Sequence, residues 1–144
     1  MWRKGLIAVA IVGVVLTHVA FADIRHVVAL QYKAGVDDAT KAQIAQEFIR
    51  LKDHALRDGR PYIVSILGGP AISKEGFDRN LQWAFIVTFK TEADRDFFVG
   101  PPYRKAMDPV HEALAKRVVP LIEADAAGNP SGLFVFDFAT SGQR

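Results

Sequence analysis

The sequence predicts an α+β fold of the split βαβ kind, a four-stranded antiparallel sheet packed on helices in the order strand, helix, strand, strand, helix, strand. Three observations predict it. Residues 24–32, 62–67, 82–89 and 133–138 are short runs rich in β-branched and aromatic residues, bounded by glycine or proline. Residues 37–57 and 91–118 carry apolar side chains at helical spacing. Finally, Trp83, Phe85, Val87 and Phe89 alternate strictly with Gln82, Ala84, Ile86 and Thr88, and both sets are too apolar for free exposure.

Ahead of these elements, residues 1–22 read as an export signal. Arg3 and Lys4 form a basic head, residues 6–16 an unbroken apolar and glycine run, and Ala20-Phe21-Ala22 a small-x-small cleavage site. The apolar run is shorter than the roughly 20 residues that span a bilayer. Cleavage is expected after Ala22, giving a periplasmic or secreted chain beginning at Asp23.

From Ile24 the first strand places His26, Val28, Leu30 and Tyr32 on one face and closes at Ala34-Gly35. Asp37 or Asp38 can cap a helix whose apolar positions Ile44, Phe48, Leu51 and Ala55 recur at steps of four, three and four. That helix is expected to run to about Arg57 and stop at Asp58-Gly59. The second strand, Tyr62 to Leu67, should end at Gly68-Gly69-Pro70, and a polar connector from Ser73 to Asn80 leads to the third. Thr91 and Asp94 have the spacing of a capping box. The helix they start must break at Gly100-Pro101-Pro102. Helical spacing resumes through Tyr103, Met107, Val110, Leu114 and Val118, with Asp108-Pro109 as an internal start signal, so two short helices at an angle are expected. The chain is loose from Ala126 to Gly132, forms a last strand from Leu133 to Phe138, and residues 140–144 read as a frayed, flexible tail.

This order is the ferredoxin-like βαββαβ fold in one domain, residues 23–139. One sheet face packs on the helices and the other is left apolar, which calls for a second copy related by two-fold symmetry, a homodimer.

The whole chain has 18 Lys+Arg against 16 Asp+Glu, and the excess of two is Arg3 and Lys4 in the leader. The mature chain is therefore neutral, which discounts nucleic acid and, after signal cleavage, the membrane as partners. Cysteine is absent, so disulfides and a lipoprotein anchor are excluded. The chain has no paired-histidine metal spacing, phosphate-cradling glycine loop, nucleophile elbow or dinucleotide fingerprint. Asp23, Asp78, Asp108 and Asp137 could coordinate a cation, but no spacing among them marks a site, so no metal or cofactor is expected.

His26 shares its strand face with Val28 and Leu30 and so points inward, either as a satisfied core histidine or as a base, donor or ligand. His54 reads as a surface residue and His111 as structural or solvated. The aromatics Trp83, Phe85, Phe89, Phe97, Phe98 and Tyr103 read either as plain core or as the wall of a hydrophobic pocket.

Three blocks, Ile24-Arg25-His26-Val27-Val28-Ala29-Leu30-Gln31-Tyr32-Lys33, residues 69–79 (Gly69-Pro70-Ala71 to Phe77-Asp78-Arg79) and residues 83–92 (Trp83-Ala84-Phe85-Ile86-Val87 to Glu92), together with Val135-Phe136-Asp137-Phe138, resemble in order and spacing the Dabb family of stress-responsive dimeric α/β-barrel proteins. The resemblance implies a ferredoxin-like dimer. It implies less about activity. A plant member closes a polyketide chain by aldol condensation without a cofactor, but its histidine and tyrosine positions fall here on Tyr103 and Phe97, and its third-strand histidine on Trp83. Only His26 keeps its identity. The first expectation is accordingly a non-catalytic homodimer binding a small apolar or aromatic molecule between sheet and helices, in a pocket lined by His26, Val28, Trp83, Phe85, Phe97 and Tyr103. The second is a cofactor-free cyclase, isomerase or lyase-like enzyme with His26 as base and Tyr103 as hydrogen-bond donor, which requires the two side chains to open onto one cavity.

Overall fold

The structure is a computed structural model and describes residues 23–140. The expected signal at residues 1–22 and the tail residues 141–144 lie outside the described residues. Ten elements follow in order: β1 (Ile24–Leu30), α1 (Asp38–His54), β2 (Leu56–Arg57), β3 (Arg60–Pro61), β4 (Ile63–Pro70), β5 (Trp83–Phe89), α2 (Glu92–Val99), α3 (Pro109–Val118), a 3₁₀ turn (Val119–Leu121) and β6 (Leu133–Ala139). The main sheet has the order β4-β5-β1-β6, antiparallel throughout. This is the expected ferredoxin-like α+β architecture.

Strand registers fix what each face carries, because directly opposed residues point the same way. On one face lie His26, Val28 and Leu30 of β1, Val87, Phe85 and Trp83 of β5, and Asp137, Val135 and Leu133 of β6. The helices cover this face. Phe48 of α1 sits on Phe85 with ring centroids 4.4 Å apart, and Phe98 of α2 meets Phe89 at 5.3 Å. Phe85, Phe89 and Phe98 are fully buried at the centre of the core. On the other face Leu67, Ile86, Phe134, Phe136 and Phe138 stand exposed, Leu67 at 68% and Phe136 at 55%. That face is as apolar as the alternation requires, and none of the described residues covers it.

The helix starts follow the capping chemistry. Asp37 accepts from the Thr40 amide at 2.7 Å, and Thr91 accepts from the Asp94 amide at 3.1 Å. Asp108 caps α3 by accepting from Val110 and His111 at 2.7 and 3.1 Å, with Pro109 in the first turn. Gly100 closes α2 at φ 72°, where a Cβ would lie 2.7 Å from the Met107 nitrogen.

Four boundaries differ from expectation. The first helix stops at His54, because Asp58 and Gly59, both at positive φ, form the tight turn of a small β2–β3 hairpin and not a helix terminus. Strand β4 continues through Gly68, Gly69 and Pro70. It is an edge strand, where proline is tolerated. Gly68 lies opposite Phe85, whose ring occupies the space a side chain would need. Tyr103 lies in the turn between α2 and α3, not on a helix. Thr140, expected to begin the frayed tail, donates its backbone N–H to the Asp23 carbonyl at 2.9 Å and so prolongs the β1–β6 ladder.

Candidate functional site

β1 and β6 pair so that His26 faces Asp137, Val28 faces Val135 and Leu30 faces Leu133. Above this pair of strands, α1 and α3 diverge enough to leave a cavity of about 260 Å³. β1 and β6 supply its floor through His26, Val28, Leu30, Leu133 and Val135. Phe48 of α1 and His111, Leu114, Ala115 and Val118 of α3 supply the walls, and Pro101 and Met107 close the end nearest the α2–α3 turn. The α3 residues recur at steps of three, one and three, which is one helical face. Among the described residues, only His26 and His111 bring side-chain nitrogen or oxygen to this space.

His26 is 3% exposed. Its Nδ1 lies 2.6 Å from Asp137 Oδ1, and the other carboxylate oxygen of Asp137 accepts from Arg95 on α2. Arg95 also bonds Asp96 at 2.8 Å, so its charge is fully engaged. Two influences act on the imidazole. Burial pushes its pKa down and the Asp137 hydrogen bond pulls it up; burial prevails, and the pKa lies below the ordinary histidine value. The Arg95 charge beside Asp137 adds a smaller push in the same direction as burial. A neutral His26 donates from Nδ1 to Asp137, which leaves Nε2 as an acceptor for the cavity.

His111 is held by different atoms to the same effect. Its Nδ1 is 2.8 Å from the Phe98 carbonyl oxygen, an atom that can only accept, so Nδ1 carries the proton. The ring stacks on Phe98 at 3.8 Å, 8° from parallel. Burial again lowers the pKa below the usual value. The cavity is thus an apolar chamber into which two neutral imidazoles present acceptor nitrogens.

The other pocket residues expected from the sequence lie elsewhere. Phe85 is in the core beneath Phe48, and Trp83, partly buried, stacks on Phe85 at 6.4 Å. Phe97 packs edge-on against Tyr62 at 5.2 Å, with the guanidinium of Arg104 over its ring at 5.0 Å. Tyr103 is 48% exposed and lies over the outer side of Arg95, 4.0 Å from the guanidinium carbon. The expectation that Trp83, Phe85, Phe97 and Tyr103 share one chamber with His26 and Val28 is therefore corrected. The pairing of Tyr103 with His26 on one substrate atom is corrected with it, because Arg95 and Asp137 stand between the two side chains. His111, which the sequence reads as structural or solvated, lines the cavity instead of facing solvent. Its signal was its place on the face that carries Leu114 and Val118.

The sequence profile of the stress responsive A/B barrel domain, Dabb, matches residues 24–139. No curated protein matches the sequence. Among solved structures, the hydroxynitrile lyase of Passiflora edulis is similar with a TM-score of 0.64 at 20% identity, covering 86% of this chain and 98% of that one. A protein of Arabidopsis thaliana gives 0.63 at 15% identity, covering 84% and 98%. A dimeric ferredoxin-like protein of unknown function from Jannaschia sp. gives 0.58 at 18% identity, covering 81% and 97%. Likeness at these identities is likeness of fold.

Proposed function

The chain belongs to the stress-responsive A/B barrel family, and from that premise we propose that it is an exported homodimer that binds a small apolar or aromatic molecule in the chamber between β1, β6, α1 and α3. The observation that carries this reading is the cavity itself, about 260 Å³ with an apolar lining and two inward imidazoles. Sites for small molecules combine many apolar contacts with a few polar groups that orient the guest. Assembly is supported by the exposed sheet face bearing Phe134, Phe136 and Phe138, and by similar structures described as dimeric. Export is supported by the composition of residues 1–22. Thermal denaturation with propylbenzene tests the binding. The melting temperature should rise for the natural chain and stay unchanged for Ala115→Phe, whose ring fills the chamber. An equal rise in both proteins, or none in either, would remove the chamber as the site.

A second reading is favoured by the His26–Asp137 contact. A carboxylate that fixes the Nδ1–H tautomer leaves Nε2 free to act as general base. In this reading the protein is a cofactor-free lyase or isomerase with His26 as base, and His111 stands where Tyr103 was expected. The Passiflora protein of the same fold is a hydroxynitrile lyase. Cleavage of an aromatic cyanohydrin that is lost in His26→Ala would support it, and no turnover by the natural chain would dismiss it.

A further inference from the structure

We propose that the guest of this chamber carries a neutral hydroxyl at its polar end, as a phenol or benzylic alcohol does, and donates its one O–H to one of the two imidazole Nε2 atoms, whereas carboxylates are rejected. The inference rests on the binding reading above and names the class of molecule bound.

It follows from proton counting. Asp137 Oδ1, 2.6 Å from His26 Nδ1, and the Phe98 carbonyl, 2.8 Å from His111 Nδ1, take the one N–H that each neutral ring owns. Both nitrogens left for the chamber are acceptors. An acceptor facing a buried acceptor gains nothing and loses its hydration, so a guest satisfies them only by bringing a donor. A carboxylate brings none. It would also need a cation, and no lysine or arginine lines the chamber. Arg95, which shares Asp137 with His26, is engaged by Asp137 and Asp96. Every other lining side chain is aliphatic, aromatic, proline or methionine, so the rest of the guest must be hydrocarbon. The volume, about 260 Å³, is that of roughly nine waters at about 30 Å³ each, which suits a single ring with a short side chain.

Calorimetric titration of the purified protein at pH 7.5 with 4-propylphenol, its methyl isostere 4-propyltoluene and 4-propylbenzoate tests the inference. The phenol should bind about tenfold or more tighter than the isostere, because a site built around a hydroxyl discriminates against the analogue lacking it. The benzoate should give no measurable heat. At least one of His26→Phe and His111→Phe should shrink the ratio of phenol to isostere while isostere binding persists. Equal binding of phenol and isostere would overturn this inference and leave the chamber standing as an apolar site. Preference for the benzoate would overturn it as well. Silence from all three would overturn both this inference and the binding reading beneath it.

Discussion

Asp137 stands directly across the β1–β6 ladder from His26, and its carboxylate meets the imidazole Nδ1 at 2.6 Å while its second oxygen accepts from Arg95. One residue thereby fixes the tautomer of the buried histidine and ties α2 to the end strand of the sheet. Asp137→Asn keeps the shape but removes the charge. It should lower the His26 pKa further, since the interactions that raise it come from Asp137, and leave Arg95 without one of its two partners. We expect a loss of about 1–3 kcal/mol of stability. Urea denaturation and an NMR titration of the His26 ring check both effects.

Acidification should unfold the protein earlier than its carboxylates alone would. His26 and His111 both have folded pKa values below the unfolded value of 6.5. The folded chain then binds fewer protons than the unfolded chain, so the stability these groups contribute is full above pH 6.5 and is lost as pH falls through their folded values. The titratable and charged neighbours are Asp137 and Arg95 for His26, and His26 and Asp108 for His111. None reverses the sign. Urea midpoints should be flat from pH 8 to 7 and fall below 6.5, by up to about 1.4 kcal/mol per pH unit for each histidine. Midpoints that rise on acidification to pH 6 would mean that the rings are charged in the fold.

Gly68 is required by a neighbouring ring. A Cβ at this position would lie 2.8 Å from Cε1 of the buried Phe85, whereas a Cβ at Gly69 meets nothing within 4 Å. Gly68→Ala should cost about 1–3 kcal/mol through displacement of that ring, and Gly69→Ala well under 1. Thermal denaturation of the two variants side by side checks the contrast.

Much of this architecture is legible in the sequence because strand alternation states which face a residue occupies. His26, Val28 and Leu30 were placed on the helix-covered face, and Phe136 and Phe138 follow from the same rule on the face left open. Alternation is silent about lateral position. Trp83 and Phe85 do share the face of His26, but they lie on β5, beneath Phe48, while the chamber opens over β1 and β6. Strand order decides this, and strand order is set by long-range pairing. His111 was missed for a related reason. Its inward aim depends on the Asp108 cap and on the Phe98 carbonyl thirteen residues earlier. Tyr103, expected on a helix, lies in a turn where spacing no longer says which way a side chain points. The Asp58-Gly59 pair could be read either as a helix terminus or as a hairpin turn, and the hairpin prevailed through the positive φ of both residues.

The exposed face of the sheet gives a prediction about assembly. Phe136 projects from the middle of β6, on an apolar sheet face that also carries Phe134, Phe138, Ile86 and Leu67. A charge at that point must be desolvated in any face-to-face pairing of two copies, so Phe136→Asp should sediment as a monomer where the natural chain sediments as a dimer. Fold is expected to survive, because the side chain contributes nothing to the helix-covered core. A monomeric natural chain at micromolar concentration would contradict the pairing.

The most direct test is to watch the two imidazoles while a guest enters. Nitrogen-15 NMR of the histidine rings during titration with 4-propylphenol should show the Nε2 resonance of at least one of His26 and His111 moving to saturation, with His54, exposed at the end of α1, unmoved. Binding that leaves His26 and His111 unshifted would mean that the guest sits outside the chamber, and the reading of this site would fail.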